Sequence, residues 1–314
     1  MSLRLVFFGS DGFALVPLTK LVDGPHTIEM VVTRPDRPAG RGLKLVETPV
    51  SELATRLGIT IFKPESLRVD DFSDECSNVE WDAGVVVAFG GLLPKWLLEK
   101  PRLGIVNLHP SLLPRNRGGA PVERALMDGA SVTGVTTIAM NERLDAGPIL
   151  MHAEEPIYAD DTAGMLRDRL AVLGAKVLER TLDELERGDL EPVSQEEDKV
   201  TFAPLISTSE GNIDWNHSAE RIDRLVRALN PEPGAYTFFR GRRIKMWRVR
   251  LTDVPQEDEP GTIMNMGKEG FFINTSTVCI QPLLLQPEGK QKMTAGEFSR
   301  GQRLEIGERF TSEP

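Results

Sequence analysis

Short apolar runs recur through the first half of the chain: LRLVFFG at 3–9, IEMVVT at 28–33, TIFKP at 60–64, AGVVVAFG at 83–90 and GIVNLH at 104–109. Runs without polar alternation predict strands buried on both faces. Residues 13–22 and 50–57, lying between these runs, carry the wider apolar spacing of amphipathic helices. This alternation predicts an α/β fold: a Rossmann-like, mainly parallel sheet covered on both faces by helices. Another apolar run, TGVTTIAM at 133–140, adds a strand. Residues 162–187 then read as one long helix, with Leu166, Leu170, Leu173, Val177 and Leu178 along one side, Asp161 in the cap position and Gly188 closing it.

The pattern changes after Gly188. Residues 190–208 are polar, hold Pro192 and Pro204, and read as an exposed linker. Asn216 or Ser218 can cap a helix that runs through Leu229, with Ile222, Leu225, Val226 and Leu229 on one stripe and Pro231 ending it. Strand-like segments follow: AYTFFR, RRIKMWRVRL, GTIMNM, GFFINTS and VCIQPLLLQP. Separated by Gly, Asp and Asn, they predict a small barrel of the oligonucleotide-binding (OB) type, or another compact β-fold. The expected organisation is a catalytic domain over 1–189, a linker over 190–208 and a β-barrel domain over 209–314.

At 314 residues, with 40% hydrophobic and 27% charged content, the chain fits a globular protein of two domains. No apolar run approaches the roughly 20 residues that cross a bilayer, so a cytoplasmic protein with no membrane association is expected. Cys76 and Cys279 are isolated and no His cluster accompanies them, so neither a disulfide framework nor a metal site is expected. The net charge of -10 disfavours a uniformly basic, nucleic-acid-coating surface, yet residues 221–250 hold nine basic and two acidic side chains. That local cluster fits a solvated helix face and charged hairpin, or a patch for phosphates.

The densest chemistry lies at 104–121, GIVNLHPSLLPRNRGGAP. Side chains two residues apart on a strand share a face, so Asn107 and His109 point the same way, and Pro110 holds His109 extended. A packed, hydrogen-bonded pair at a strand end explains this equally well when taken alone. Asp145 follows the next strand in NERLDAGPIL, where an acidic residue before Ala-Gly also suits a plain turn. The turn at 9–12, GSDG, lacks GxGxxG spacing, so no dinucleotide cofactor is indicated. His26, His152 and His217 carry no such context and are read as structural.

Taken together, NLHPSLLP, the following Arg-x-Arg-Gly, the helix-opening Ala-Pro and the Leu-Asp-Ala-Gly turn resemble the signature of the 10-formyltetrahydrofolate-dependent formyltransferases. The resemblance implies Asn107, His109 and Asp145 as catalytic residues, Ser111, Leu112, Leu113 and Pro114 as folate contacts, 10-formyltetrahydrofolate as formyl donor, and no metal. It leaves the amine open, since enzymes acting on sugar-nucleotide amines and formylfolate hydrolases share this core. TRPDRPAGRGLKL at 33–45 looks like the loop by which the branch acting on methionyl-tRNA engages the acceptor stem, which implies Arg41 and Lys44 as tRNA contacts. IDW at 213–215, ALNPEPGAYT at 228–237 and LQPEGKQKM at 285–293 resemble that branch's C-terminal barrel. The implied reaction is formylation of initiator methionyl-tRNA for translation initiation, with no stable protein partner. Three positions depart from the family pattern: Asn116 where an aromatic residue is common, Leu205 where a lysine is common, and Glu123 where a neutral residue is usual.

Overall fold

The computed structural model describes residues 2–39, 44–68, 79–267 and 270–314. They form two compact units. The first comprises Met1–Pro121, Val132–Pro156 and Arg167–Pro204; the second comprises Val122–Ser131, Ile157–Leu166 and Leu205–Pro314.

The chain enters through β1 (Arg4–Gly9), α1 (Leu15–Val22) and β2 (Thr27–Val32). The short strands β3 (Arg37–Ala39) and β4 (Lys44–Val46) come next, followed by α2 (Pro49–Leu57), β5 (Ile61–Phe62) and β6 (Ala83–Val87). Then come α3 (Lys95–Leu98), β7 (Ile105–His109), α4 (Pro121–Asp128), β8 (Val132–Ala139), β9 (Ile149–Pro156) and α5 (Ala163–Arg187). Among the described residues the main sheet has seven strands in the order β5-β2-β1-β6-β7-β8-β9. Neighbours from β5 through β7 are parallel, while β8 and β9 run antiparallel to the strand before them. This is the mainly parallel Rossmann-like sheet that the apolar runs predict.

Every residue of β6 and β7 is buried, whereas the edge strand β9 alternates between partly buried and exposed positions. Full burial explains why the central strands lack polar alternation. In α2, Thr48 accepts from the Ser51 N–H, Pro49 occupies the first turn and Gly58 closes the helix at φ 70°. Helix α5 packs against the sheet: an added Cβ on Gly174 would sit 2.8 Å from Leu108, and the Thr181 hydroxyl lies 2.8 Å from that of Thr137. Its cap is Thr162, whose hydroxyl accepts from the Met165 N–H at 3.3 Å. Asp161, the expected cap, instead accepts from the Tyr158 N–H at 2.7 Å and so closes the preceding turn. On either side of residues 40–43, which lie outside the described residues, Arg37–Ala39 pairs antiparallel with Lys44–Val46.

The second unit holds α6 (Ala219–Ala228), capped by Ser218. After it come β10 (Ala235–Phe239), β11 (Arg242–Pro255), β12 (Ile263–Gly267), β13 (Gly270–Ile273), β14 (Val278–Pro287), β15 (Met293–Thr294), α7 (Ala295–Gln302) and β16 (Phe310–Thr311). The sheet order is β12-β13-β14-β11-β10-β16, with β15 beside β14. Ile263 N–H donates to Glu308 O at 2.7 Å and Phe310 N–H to Gly261 O at 2.9 Å, which brings the last strand back to the first and nearly closes a barrel. Phe239, Phe271, Phe298 and Phe310 fill its core, the last touching Phe239 at a centroid distance of 4.8 Å. Three of the nine basic side chains of 221–250 are engaged as follows: Arg227 pairs with Asp223, Arg240 with Glu308, and Arg243 stacks over Tyr236.

One ion pair gives the second unit an acid sensitivity. Glu210 Oε2 accepts from Arg124 at 2.6 Å, and Oε1 accepts from the Ser207 N–H at 2.8 Å. The Arg124 bond, then the Ser207 bonds, hold the carboxyl at about 2 against an ordinary 4.5. A depressed carboxylate contributes stability that is fully present above its unfolded value and is lost as pH falls toward the folded one. Glu210 is 37% exposed at its side chain, and solvent screening limits the contribution to about 1 kcal/mol. Denaturant titration should find Glu210→Gln less stable than wild type by about that amount near neutrality. The gap should close between pH 4.5 and about 2; a pH-independent gap would show that ionisation is not its source.

Candidate active site

The site grows from the carboxyl end of β7. Asn107 lies opposite Val86 of β6 and Ile138 of β8, and His109 lies opposite Thr136. Both side chains are nearly buried, at 8% and 4% exposure. Buried polar groups need partners, and the two loops that follow β7 and β8 supply them. His109 Nε2 is 2.9 Å from the Asn116 carbonyl, which can only accept, so Nε2 carries the hydrogen. Nδ1 then faces Asp145 Oδ2 at 3.7 Å, beyond hydrogen-bond range. Asn107 Nδ2 donates to Asp145 Oδ1 at 3.4 Å, and the Gly118 N–H donates to Oδ2 at 2.9 Å. Asp145, distant in sequence, thus joins the neighbouring pair Asn107 and His109 in one cluster.

Two residues here occupy the left-handed region, Asn116 at φ 60° and Asp145 at φ 49°. Asn and Asp tolerate it better than other residues carrying a Cβ. That gives a local reason for asparagine at 116, one of the departures from the family pattern. Its N–H donates to Thr201 Oγ1 at 2.9 Å and its Oδ1 accepts from the same hydroxyl at 3.3 Å. Gly118, at φ 129°, could carry no side chain, because a Cβ would lie 2.5 Å from Ala203 O. Gly147 is equally constrained: a Cβ there would meet Ala139 O at 1.8 Å.

Residues 193–203, expected as plain linker, are exposed over most of their length yet bonded to this site. Val193 pairs with Ile149, and Phe202 bridges to Arg117. Gln195 Nε2 donates to Asp145 O at 2.8 Å and Gly147 O at 2.7 Å, while its Oε1 accepts from Arg117 Nε at 3.0 Å and Nη2 at 2.9 Å. Arg117 is 4% exposed and also faces Glu197 at 3.4 Å. The Arg117 bond, with added attraction from Arg143, holds the Glu197 carboxyl below the usual carboxylate range. Arg117 stood within the recognised motif, whereas Gln195 and Thr201 carried no local signal.

The expected folate contacts are continuous with the cluster. Ser111 and Leu113 are buried, and Leu112 and Pro114 are half-buried. Ser111 Oγ donates to Arg115 O at 2.7 Å, and Thr136 Oγ1 accepts from the Leu113 N–H at 3.1 Å, which anchors the turn to β8. In the neighbouring 87–94 stretch, Phe89 and Leu93 pack into the core, while Leu92 is 62% exposed. Asp11, in the GSDG turn, accepts from the Phe13 N–H at 2.9 Å and caps a short helical turn. Lys44 is exposed at the start of β4; Arg41 lies outside the described residues, as does Cys76. Cys279 is buried in the second unit, and burial raises its thiol. His26 accepts from the Leu3 N–H within the sheet's first strand region, His152 is exposed on β9, and His217 sits beside Asp214. Among the described residues no group of three His, Cys, Asp or Glu side chains could hold a metal.

This arrangement of an amide, an imidazole and a carboxylate can donate to a developing oxyanion and relay a proton without forming a covalent bond to substrate. Known proteins place it in context. The pattern of the family described as Formyl transferase matches residues 3–182, and that described as Formyl transferase, C-terminal domain, matches residues 205–303. The methionyl-tRNA formyltransferase of Lachnospira eligens is 40% identical over 97% of this chain and 98% of its own length. Among solved structures, HypX from Aquifex aeolicus in complex with tetrahydrofolic acid matches 98% of this chain at 16% identity with a TM-score of 0.65. This chain spans about half of HypX, 49%. The N-formyltransferase from Helicobacter canadensis, solved with folinic acid and dTDP-3-aminofucose, matches 91% of this chain and 100% of its own at 16% identity and a TM-score of 0.65. These structures share the fold, and the sequence matches extend over nearly the whole chain: it belongs to the formyltransferase family.

Proposed function

We propose that this chain transfers the formyl group of 10-formyltetrahydrofolate to the α-amino group of methionine on initiator tRNA, yielding N-formylmethionyl-tRNA for translation initiation. The choice of amine is carried by the 40% identity, over nearly the full length of both chains, to a methionyl-tRNA formyltransferase. The chemistry is supported by the convergence of Asn107, His109 and Asp145. In this reading residues 1–189 form the catalytic domain, 190–208 the linker and 209–314 the tRNA-binding barrel. A cytoplasmic location follows from the substrate, and the reaction needs no stable protein partner. No helix among the described residues is long and apolar enough to cross a membrane.

In the proposed reaction the amine attacks the formyl carbon and negative charge grows on the formyl oxygen; as the amine loses a proton and folate N10 gains one, the oxyanion collapses, the C–N10 bond breaks and tetrahydrofolate leaves. Asn107 uses one amide hydrogen on Asp145 and offers the other to the oxyanion. Because the Asn116 carbonyl engages Nε2–H, His109 donates a second bond only as the cation, through Nδ1. Asp145 faces that nitrogen, stabilises the cation and helps move the proton. The distance of 3.7 Å leaves room for closure when substrate binds, as catalytic contacts commonly tighten in the reacting complex. An α-amino group with a reference pKa near 8 needs only mild help to become neutral. Ser111, Leu112, Leu113 and Pro114 hold the folate, and Arg41 and Lys44 meet the tRNA.

Purified protein supplied with 10-formyltetrahydrofolate and, in parallel, charged initiator tRNA, charged elongator tRNA and a nucleotide-linked aminosugar tests the assignment. Formylation of the aminosugar in place of the initiator tRNA would overturn it. Asn107→Ala, His109→Ala and Asp145→Asn should each slow single-turnover transfer by about 100-fold or more, the usual worth of an oxyanion donor or of a positioned acid–base group, while circular dichroism shows each variant still folded. Near-normal transfer in any of them removes that residue from the mechanism. Arg41→Ala should lower kcat/KM for methionyl-tRNA without changing folate binding. Its dependence on log salt should flatten by about one unit if a single phosphate contact is lost. Equal efficiency and equal salt slope in both proteins would show that this arginine meets no phosphate.

A further inference from the structure

Gln195 is the one residue of the 193–203 segment whose side chain reaches the backbone of the Asp145 turn, and all its hydrogen-bonding capacity toward protein is used there. Its two amide hydrogens go to Asp145 O and Gly147 O, and its oxygen takes two N–H groups of Arg117. The orientation is unambiguous, because a flipped amide would set its oxygen against two carbonyls and its hydrogens against a guanidinium. Arg117 is buried, and its own backbone lies between the two contacts that define the site: the Asn116 carbonyl on His109 and the Gly118 N–H on Asp145. Gln195 therefore joins the loop after β7 to the loop after β8.

Asp145 sits at φ 49° and its carboxylate must meet Asn107, Gly118 and His109 together. A residue in that sparsely populated region persists only where its surroundings over-determine it. Two hydrogen bonds to the carbonyls at 145 and 147, backed by a buried arginine, supply that determination. We propose that Gln195 is a positioning residue for formyl transfer: its amide locks the Asp145 turn to the Arg117 loop and so sets the carboxylate against His109. This rests on the proposed catalytic role of Asp145. The length of the side chain and its neutrality both matter, since a shorter amide would not span the gap and a carboxylate could not donate to the two carbonyls.

The discriminating variant is Gln195→Glu, which keeps the length and the bonds to Arg117 but removes both donors. Gln195→Ala and Asp145→Asn are made beside it in the full chain. In Gln195→Glu, kcat should fall about 10- to 100-fold, in the range that small misplacements produce, while KM for folate and tRNA stays within about twofold and melting temperature is retained through the Arg117 contact. The amide resonance of Gly118, followed by NMR, should shift upfield as its bond to Asp145 loosens. In an Asp145→Asn background the Gln195→Glu change should add little, because the two act as a unit. Wild-type kcat in Gln195→Glu, or a loss confined to KM, overturns the proposal when Asp145→Asn is inactive. Wild-type turnover in Asp145→Asn overturns the catalytic reading and the positioning role with it. An unchanged Gly118 resonance in both Gln195 variants also overturns it. If Gln195→Ala unfolds, the decision rests on the stable Gln195→Glu.

Discussion

Strand β7 is buried along its whole length and yet carries two polar side chains, Asn107 and His109, in its last three positions. An unsatisfied polar group in such a position costs several kcal/mol in the worst case. The fold meets this by bending two loops over the strand end. One brings the Asn116 carbonyl to His109, the other brings the Asp145 carboxylate to Asn107, and the Gly118 N–H joins the two. The partners that make burial tolerable are the same groups that the proposed mechanism sets near the reacting atoms, and in that reading one network serves both stability and chemistry.

That network requires unusual backbone. Asn116 and Asp145 adopt left-handed conformations, and Gly118 and Gly147 lie against carbonyl oxygens with no space for a Cβ. Such features are affordable where the scaffold beneath is rigid. The scaffold here is a sheet whose neighbours from β5 through β7 are parallel and whose central strands are wholly buried, with α5 seated on it through Gly174 and Thr181. The polar segment at 193–203 then closes over the loops, with Ala203 buried and Thr201 held by Asn116.

The second unit is organised on another basis. Four phenylalanines lie at the heart of its core inside a nearly closed antiparallel barrel, and several of its cations are engaged in pairs or over rings. Trp247 is flanked by Lys245 at 5.5 Å and Lys292 at 3.5 Å from its ring, so basic side chains are held in place rather than loosely solvated. Ordered cations lose less freedom on meeting phosphates, which suits the tRNA-binding role proposed for this unit.

Strands, helices and fold class were legible in the sequence because burial on one or both faces leaves a periodic record: the apolar runs from LRLVFFG to GIVNLH match β1, β2, β5, β6 and β7. Asn107 and His109 were legible as a pair because two-residue spacing on a strand fixes a shared face, and family resemblance joined Asp145 to them. Helix α7 went unread although Thr294 and Glu297 form a capping box whose spacing stands in the sequence. The cap of α5 moved by one residue because Asp161 and Thr162 can both accept, and only the turn at Tyr158 decides between them. Gln195, Thr201 and the left-handed turns at Asn116 and Asp145 could not be read locally. Their roles arise from contacts between distant positions, 48 to 85 apart for Gln195 with Gly147 and Thr201 with Asn116, and a polar residue in a charged segment has the same sequence context whether it faces water or the turn at Asp145. Periodicity is local, so the chain alone tells which strands are buried and which side chains share a face; which distant polar groups satisfy them depends on where the loops close, and that exists only in the folded molecule.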